Sequence, residues 1–486
     1  MLPFVLLFGL ALAIRLYHLA YNPLWLDEIY NYQLGQQGLG AILRNSLYDP
    51  HPPLYYLLQW ITAGGSSHSE LAWRWLPVIS GAMTIPLVYE ITRKVYGAFS
   101  AGLSSLLLAV SPAHLYFSQE ARPFAFEVFL AALTTFWIVE IQDQPQKRGL
   151  WLGVITTTLI GLYSSYSYIL VVGIQAVYLT LQNRRERWTY VYLSFIGAAS
   201  ISLLPFATRT IGKTASAHMD NISLNLLATS QALLAGEPLR YGITWAHTWA
   251  PLLLGGLFLL GASTSFRHPQ QRSLSVYATL QLTLPLFAFF AIINPIFGIH
   301  LPPGEAKQFI VLLPAFFILV ASGIHNLWKL PTPFPKFIAS VAVSVVTIAS
   351  MSGMKNYWQV TKSSESETVL AVRKHLQPGD AIISLHYSLN AAASFYLPDQ
   401  EVFARPTQTP AGYDFSHSLS ILPVPLRSPE GSRIPLATIR EKPRIWLLSH
   451  ENANPEIIRA ISQGCTVTGQ WKHPPFKTSL LTDCSP

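Results

Sequence analysis

The sequence predicts an α-helical protein that crosses a membrane many times and ends in a small outer domain of α/β-like character. Three observations lead to this fold class. Hydrophobic residues make up 51% of the chain and charged residues only 12%, whereas a soluble domain carries about 25% charged residues. Apolar runs close to the roughly 20 residues needed to cross a bilayer recur as far as Met351. Beyond that point the sequence is polar, with frequent Pro and Gly.

About eleven apolar runs are long enough, or nearly long enough, to span a membrane. The fifth and sixth are short and adjoin each other, and we divide them at Ser164-Ser165. The first run is interpreted as a membrane helix and not as a signal peptide, because Met1–Phe4 has no basic side chain. The runs are residues 3–20, 71–92, 100–117, 124–141, 150–164, 166–181, 189–206, 245–263, 274–297, 309–327 and 337–351.

Basic residues lie in alternate connections between these runs, and this pattern indicates the topology. Lys and Arg are enriched in loops on the cytoplasmic side of a membrane. The pattern therefore predicts an odd number of spans, a cytoplasmic N-terminus and an outward C-terminus. The net charge of +8 is first a topology signal here. Because no basic patch interleaved with aromatic residues occurs, nucleic acid is not an expected partner. The basic connections contain Arg93 with Lys94, Lys147 with Arg148, Arg184 to Arg187, Arg267 with Arg272, and Lys329 with Lys336.

The composition divides the chain into two predicted domains. Residues 1–352 form the membrane domain, and its first outer loop, 21–70, contains apolar stretches expected to lie as helices along the membrane surface. Residues 353–486 form the outer domain. In that domain, 381–385 and 444–448 are short apolar runs bounded by turn residues, which is typical of buried strands.

The two cysteines, Cys465 and Cys484, both lie near the C-terminal end. No Cys/Cys or Cys/His spacing typical of zinc or of a metal cluster is present. In an oxidising compartment the pair can form a disulfide, and two free thiols are the alternative. The sequence leaves both states open.

Four polar clusters fall in outer connections under the predicted topology. Each cluster alone is a weak signal, and their convergence on one membrane face is the argument for a functional site. The last cluster also contains Glu305. In chain order the clusters are Asp27 with Glu28, His51 with Tyr55, Glu120 with Arg122, and Lys307 with Gln308.

The acidic side chains have a functional and a structural interpretation. Charged groups beside a bilayer are costly and usually functional. A carboxylate at Asp27 can act as a general base by taking a proton from an attacking hydroxyl, and Glu120 supplies a second acid. The structural interpretation is that Asp27 or Glu28 only caps the helix that follows, where an acid favours the helix dipole. Glu120 would then only pair with Arg122.

The basic side chains suggest a place for a phosphate. The guanidinium of Arg122 offers a fork of donors to oxygen anions, and Lys307 offers a point charge. His51 titrates near neutrality. The structural alternatives are that His51 only begins a surface helix before two prolines, and that Lys307 only extends its charge to the membrane interface.

Three motifs occur in order along the chain: Leu24–Glu28, His51–Tyr56 and Tyr116–Pro123. Together they resemble bacterial membrane glycosyltransferases of family 39, in the GT-C superfamily that includes protein mannosyltransferases and the aminoarabinose transferase of lipid A. The resemblance implies a GT-C bundle of helices in the bacterial inner (plasma) membrane. It also implies a sugar donor carried on a polyprenyl phosphate and used on the outer face.

The resemblance also implies roles for single residues. Asp27 matches the family's first-loop catalytic acid, with Glu28 as its usual neighbour, and Glu120 with Arg122 matches a second acidic motif. Members often carry Arg-Tyr or a similar pair before a late Leu-Leu-Pro helix, where this chain has Lys307-Gln308. A lysine binds phosphate without the fork geometry of arginine. We therefore predict catalysis by Asp27, Glu28 and Glu120, and substrate binding by His51, Tyr55, Arg122, Lys307 and Gln308.

The predicted activity is inverting transfer of a sugar from a polyprenyl-phosphate donor to an acceptor hydroxyl on a lipid, a glycan or a protein. A prenyl phosphate is already a competent leaving group, so the chemistry requires no metal, although Asp27 and Glu28 could hold a divalent ion. A transporter or flippase of a lipid-linked substrate is the alternative, since many spans with a few charges also fit that class. The sequence contains no internal repeat, which disfavours it. A non-catalytic lipid-binding receptor is a third interpretation.

Overall fold

The chain folds into two compact units. The membrane unit comprises residues 1–19, 46–59 and 74–360, and the C-terminal unit comprises residues 20–45, 60–73 and 361–486. Two segments of the connection between the first and second predicted spans therefore belong to the same unit as residues 361–486. The computed structural model describes residues 2–45, 51–65, 67–214, 230–231, 233–234, 245–287, 307–359, 363–400, 402–404 and 439–484.

Helices dominate the described part of the chain. Five of them there are long and apolar enough to cross a membrane, and three shorter apolar helices accompany them. The predicted class of α-helical polytopic membrane protein is confirmed, and the number of about eleven spans is not. In chain order the α-helices are α1 Leu2–Leu16, α2 Leu26–Gln36, α3 Leu39–Asn45, α4 Pro53–Thr62, α5 Glu70–Ala109, α6 Pro112–Ser118, α7 Phe124–Asp143, α8 Arg148–Leu162, α9 Ile169–Asn183, α10 Arg187–Thr214, α11 Trp245–Arg267, α12 Pro269–Phe287, α13 Leu313–Lys329, α14 Pro333–Gln359, α15 Ser364–His375, α16 Tyr387–Tyr396 and α17 Pro455–Ser462.

The region of the second and third predicted spans differs from the expectation. Residues 70–109 form one long helical stretch, α5, that is interrupted only at Gly97 (φ 82°, ψ 173°). The left-handed φ at this break favours glycine, because other residues pay a steric cost there. The stretch ends before Pro112, and the short helix α6 begins with that proline at its first position, where a missing N–H costs nothing. The predicted third span is therefore divided between two helices.

Small residues allow two helices of the membrane unit to pack at close range. A Cβ atom added to Gly261 in α11 would lie 1.9 Å from the carbonyl oxygen of Leu319 in α13. A Cβ atom added to Gly323 in α13 would lie 2.2 Å from the carbonyl oxygen of Leu257. Such close backbone contact is typical of membrane helices, which associate through packing at small residues.

The described part of the C-terminal unit contains a five-stranded sheet with the strand order β2-β1-β3-β5-β4. β1 pairs in parallel with β2 and β3, and β5 pairs antiparallel with β3 and β4. The mixed sheet with its helices confirms the predicted α/β-like domain. The strands are β1 Ala381–Ser384, β2 Val402–Ala404, β3 Arg444–His450, β4 Thr466–His473 and β5 Phe476–Thr482.

The question of the two cysteines is resolved by this unit. Cys465 and Cys484 form a disulfide. Both pack against a buried cluster that includes Ile383, Leu447 and Leu481. The bond joins the residue before β4 to the end of the chain beyond β5, the two strands that form one side of the sheet.

Helix α2, in the connection between α1 and α5, is held by α16 within the C-terminal unit. The ring of Tyr32 lies 4.8 Å from that of Phe395 and 5.2 Å from that of His68, measured between centroids. The amide nitrogen of the Gln33 side chain donates to the Ser394 hydroxyl at 3.0 Å. These contacts explain why this part of the loop clusters with residues more than three hundred positions later.

Replacing Gly261 with alanine tests the close packing of α11 and α13. The added methyl group must push the helices apart, and overpacking of this kind costs about 1–3 kcal/mol. We expect Gly261→Ala to lower the apparent melting temperature of the detergent-solubilised protein.

Gly256→Ala is the matched control in the same helix. A Cβ atom at Gly256 meets nothing within 4 Å, and alanine favours helix more than glycine does. The melting temperature of this variant should stay the same or rise. Equal losses in the two variants would contradict the packing argument.

Candidate functional site

The turn that carries Glu120 and Arg122 is fastened to the end of α1 by a fully buried arginine. The Arg15 side chain is 0% exposed. Its Nε atom donates to the Ser118 hydroxyl at 3.2 Å, and Nη2 donates to Nδ1 of His114 at 2.6 Å. A buried cation must be satisfied by such partners, so the end of α6 is held in one place relative to α1.

The next residue completes the attachment. Nε2 of Gln119 donates to the carbonyl oxygens of Arg15 at 2.7 Å and of Tyr17 at 2.8 Å. These carbonyls lie at the C-terminal end of α1, where they have no partner within the helix. Gln119 thus links the unpaired carbonyls at the end of α1 to the turn that begins at the end of α6.

A glycine makes room for this contact. A Cβ atom at Gly81 in α5 would lie 2.1 Å from Oγ of Ser118 and 3.0 Å from Nε of Arg15. Any larger residue would displace the hydrogen bond between them. The position of the turn therefore depends on residues from three separate helices.

Glu120 and Arg122 are both buried within this turn. Glu120 is only 2% exposed and Arg122 only 6%. The N–H of Arg122 donates to the carbonyl oxygen of Glu120 at 2.7 Å, which closes a tight turn before α7 begins at Phe124. Both ionisable residues are therefore held in the protein interior next to the start of an apolar helix.

The structure brings His51, Arg122 and Lys307 into one electrostatic neighbourhood. Burial lowers the pKa of the His51 imidazole well below its usual value, and the positive charges of Arg122 and then Lys307 lower it further. His51 is therefore neutral near pH 7. Its ring lies edge-on to that of Phe124, with centroids 6.0 Å apart. Three of the predicted binding residues, far apart in sequence, thus share one part of the membrane unit.

Tyr55 lies in α4, four residues after His51, and is fully buried. Its ring lies 6.1 Å from that of Phe126 in α7. The N–H of Leu54 donates to the carbonyl oxygen of Tyr163 at 3.0 Å, which connects the start of α4 to the turn after α8. The turn after α8 therefore contacts the start of α4.

Lys307 opens a 3-10 helix, Lys307–Leu312, that leads into α13. Its side chain is half-buried. The backbone of Gln308 lies in the same helix, and the prediction for its side chain falls outside the described part of the structure. Glu305 also lies outside the described residues.

Asp27 and Glu28 lie in the C-terminal unit, at the start of α2, and the structure separates their roles. Glu28 is fully buried, and its Oε2 accepts a hydrogen bond from the N–H of Trp25 at 3.3 Å. Glu28 therefore caps the helix, as the structural interpretation expects. Asp27 is half-buried, and among the described residues no hydrogen bond or ion pair to its carboxylate is formed.

Glu127 is a buried acid that the sequence analysis missed. It lies in the first turn of α7 and is 2% exposed. One carboxylate oxygen accepts a hydrogen bond from Ser167 at 2.8 Å, and the other has no partner among the described residues. The signal was available, because an ionisable residue inside an apolar run is a functional candidate by default. The same rule would have marked Arg15.

In the described parts of the chain, no group of three or more His, Cys, Asp or Glu side chains is arranged to hold a metal ion. Asp27 and Glu28 are the predicted pair for a divalent ion, and their two carboxylates have different surroundings. Glu28 is buried and accepts the N–H of Trp25, whereas Asp27 is half-buried.

A bundle of membrane helices with buried ionisable groups, followed by a mixed α/β unit, is a fold that this chain shares with solved structures of two membrane enzymes. The crystal structure of ArnT from Cupriavidus metallidurans in the apo state matches with a TM-score of 0.60 at 13% identity, and covers 99% of this chain and 98% of ArnT. The structure of the same enzyme bound to undecaprenyl phosphate matches with a TM-score of 0.60 at 12% identity, and covers 99% of both chains.

A second structural relative and a sequence family agree with this fold. The archaeal oligosaccharyltransferase AglB from Archaeoglobus fulgidus, in complex with an inhibitory peptide and a dolichol-phosphate, matches with a TM-score of 0.51 at 13% identity, and covers 94% of this chain and 70% of AglB. The family described as dolichyl-phosphate-mannose-protein mannosyltransferase matches residues 50–211. The resemblance to GT-C glycosyltransferases is therefore confirmed. A search of curated protein sequences finds no match to the chain.

The depressed pKa of His51 predicts a pH dependence of stability. The unfolded chain takes up a proton at this residue as the pH falls below about 6.5, whereas the folded protein resists protonation because of burial and two neighbouring cations. The stability contributed by neutral His51 is therefore complete above pH 6.5 and is lost as the pH falls toward the folded-state pKa.

Melting curves of the solubilised protein between pH 7.5 and 5 measure this loss. The fall in melting temperature on acidification should be smaller in His51→Gln than in the native protein. The exposed His268 provides the control, and His268→Gln should keep the native slope. The same slope in His51→Gln would refute the assignment.

Proposed function

We propose that this protein is a membrane glycosyltransferase that moves a sugar from a polyprenyl-phosphate donor to an acceptor hydroxyl on the outer face of the membrane. The observation that carries the proposal is the cluster of His51, Arg122 and Lys307. Two cations beside a buried neutral imidazole create a positive potential in a region of low dielectric, where charge is felt strongly. A phosphate attached to a lipid is an anion suited to such a site.

The phosphate-binding roles follow from the chemistry of the two cations. Arg122 would bind the phosphate through two parallel N–H donors. Lys307 would add a point charge, and neutral His51 would add a single donor. These groups would stabilise the negative charge that develops on the phosphate oxygen as the sugar leaves. Tyr55, on the helix that follows His51, and Gln308, beside Lys307, are assigned to substrate binding with them.

Asp27 is proposed as the general base. It would take the proton from an acceptor hydroxyl, whose oxygen attacks the anomeric carbon while the bond to the phosphate oxygen breaks. A single displacement of this kind inverts the anomeric configuration. Glu120 is proposed as a second acid. Glu28, which caps the helix that carries Asp27, would support the base by orienting that helix. The acceptor would be a hydroxyl on a lipid, a glycan or a protein.

Solved structures of similar fold contain lipids of the proposed donor class, which supports this part of the proposal. One ArnT structure is bound to undecaprenyl phosphate, and one AglB structure contains a dolichol-phosphate. Both ligands are polyprenyl phosphates, which is the donor class inferred for this chain. The match of residues 50–211 to a mannosyltransferase family covers His51, Tyr55, Glu120 and Arg122, so the proposed phosphate site lies largely inside the matched region.

The proposed location is a bacterial inner membrane, with the N-terminus in the cytoplasm and the C-terminal unit outside. The alternating basic connections support this orientation. The Cys465–Cys484 disulfide also supports it, because such bonds persist in oxidising compartments and are rare in the cytosol.

Binding of undecaprenyl phosphate tests the phosphate site without knowledge of the sugar. Lys307→Ala should weaken binding to the purified protein about 10-fold or more, because a hydrogen bond to a charged group is worth about 1.5–3 kcal/mol. Native mass spectrometry with lipid titration measures the change. Lys329→Ala is the control, since the exposed Lys329 lies at the other end of the same helical segment.

Arg122 provides a second arm of the same experiment. Arg122→Ala should weaken binding at least as strongly as Lys307→Ala, and Arg122→Lys should recover part of it, because charge is restored without the fork. Native affinity in both alanine variants would overturn the phosphate site.

Asp27→Asn tests the base. We expect a folded protein whose sugar transfer is reduced about 10²–10⁴-fold, the range associated with general-base catalysis. Mass spectrometry of envelope lipids, glycans and proteins from cells with and without the gene would identify the transferred sugar, and the variant would then be scored on that product. Asp399→Asn, at an exposed position in the same unit, should retain activity.

Two outcomes would contradict this assignment. Native transfer by Asp27→Asn removes the base. No transferred sugar in any fraction, together with uptake of a lipid-linked substrate into proteoliposomes, would favour the transporter or flippase alternative.

A further inference from the structure

The C-terminal unit contains a groove of about 420 Å³ at the place where helix α15 ends beside the sheet. Its lining comes from the last residues of α15, from the turn after them and from strands β3, β4 and β5. All of these residues lie within 361–486, so the groove belongs to a single unit. The polar and aromatic residues that line it are Lys374, His375, Gln377, Arg444, Trp446 and Trp471.

The strand register places two tryptophans on the face of the sheet that lines the groove. Trp446 on β3 and Gly469 on β4 both lie opposite Leu480 on β5, and residues opposite each other share a face of the sheet. Trp471 follows Gly469 by two positions and therefore points to the same side. The two indole rings lie 5.1 Å apart between centroids, with an angle of 38° between their planes.

Gly469 leaves the space that the Trp471 ring occupies. A Cβ atom at Gly469 would lie 2.5 Å from Cη2 of Trp471, so the ring lies across the glycine, close to the strand. The His375 ring at the end of α15 stacks on that of Trp471, with centroids 5.6 Å apart and planes inclined by 27°. Trp446 is 1% exposed, whereas Trp471 is partly exposed. Trp471 is therefore the tryptophan that a ligand in the groove can contact.

A buried carboxylate holds polar groups around these rings. The Asp380 side chain is 0% exposed, and its Oδ1 lies 3.4 Å from Nε of Arg444. Its Oδ2 accepts hydrogen bonds from Nε1 of Trp446 at 2.8 Å and from the N–H of Gln377 at 2.9 Å. Nη2 of Arg444 donates to the carbonyl oxygen of His375 at 2.9 Å. These bonds fix the ring and the donors before any ligand binds, which lowers the entropy cost of binding.

The groove also has a net positive charge. The charge of Arg444 is balanced by Asp380. Lys374 is exposed at the end of α15 and forms no ion pair with any described residue. Its ammonium group is therefore the charge that a ligand in the groove would meet.

We propose that this groove is a binding site for an acidic saccharide, one whose sugar rings carry a negatively charged group. A pyranose ring has a face of C–H groups that packs on an aromatic face, where the quadrupole is negative. Its hydroxyl groups lie at the edge of the ring, where Gln377 and Arg444 supply donors. Small-molecule sites commonly combine aromatic lining with a few placed polar groups of this kind. Lys374 would pair with the charged group of the sugar.

The site selects among the proposed acceptor classes. Of a lipid, a glycan and a protein, the groove favours a glycan as the acceptor. This selection rests on the proposed function, whereas the binding of a saccharide by the groove does not.

Calorimetric titration of the full-length protein in detergent tests the site with trigalacturonate and with its methyl ester. The two probes have the same sugar rings and differ in charge. The native protein should bind both, and the ester about 3-fold more weakly, the size expected for loss of an exposed ion pair. Lys374→Ala should lose this preference for the charged probe. Lys472→Ala is the matched control, because this exposed lysine follows Trp471 on β4 and points to the other face.

Trp471 provides the second arm. Trp471→Ala should weaken the binding of both probes about 10-fold or more, since truncation of a contacting tryptophan is among the costliest losses in a binding site. Trp471→Phe keeps an aromatic face and should recover part of the affinity. Gly469→Ala displaces the ring and should weaken the binding of both probes.

The outcomes separate this inference from the proposed function. No binding of either probe by the native protein, or native affinity in Trp471→Ala, overturns the site. Equal affinity for the two probes overturns its preference for acidic saccharides, and tighter binding of uridine monophosphate than of trigalacturonate assigns the groove to nucleotides instead. If Trp471→Ala does not fold, a native preference in Lys374→Ala rejects the proposal. Saccharide binding by a protein that transfers no sugar would remove the proposed function and leave the groove as a binding site.

Discussion

The buried guanidinium of Arg15 is the interaction on which the membrane unit depends most. A charge in an apolar interior is tolerated only where hydrogen-bond partners surround it, and Arg15 finds them in Ala11, His114 and Ser118. This requirement fixes the end of α1 against the end of α6. The turn that follows contains Glu120 and Arg122, and the hydrogen bonds of Arg15 therefore fix its position.

The same constraint explains why so many ionisable residues of the membrane unit are found in turns beside helix ends. His51 precedes α4, Arg122 precedes α7, and Lys307 precedes α13. At these places backbone N–H and C=O groups are available as partners, and a charge is closer to water than at the middle of a span. A neutral imidazole near two cations adds a donor without adding further positive charge.

The C-terminal unit also holds part of the connection between α1 and α5. Segments of this connection fold with it, and its helices bond to the backbone N–H and C=O of Leu24. A loop between membrane helices has few apolar contacts of its own and would sample many conformations. Binding its backbone to α15 and α16 removes that freedom, so the aspartate at the start of α2 is held on a folded domain.

Sequence reasoning succeeded where composition or local pattern carries the information. The apolar runs predicted the helices from Phe124 onward to within a few residues in most described cases, and the short apolar runs predicted β1 and β3. It failed at Gly97 and Pro112, because the length of a hydrophobic run does not reveal where a helix breaks within it. It also could not tell Glu28 from Asp27, since adjacent acids differ only in which direction the folded helix turns them.

The sequence by itself determined the class of this protein: a polytopic membrane chain with an α/β end, three ordered motifs and a glycosyltransferase resemblance. These follow from hydrophobicity and from short motifs, which are local properties. Only the tertiary structure decided that His51, Arg122 and Lys307 share one neighbourhood, that Cys465 bonds to Cys484, and that the backbone of Leu24 bonds to Ser366 and Tyr396. Each of these is a contact between distant positions, and such contacts are set by the packing of whole helices and strands, which no single segment encodes.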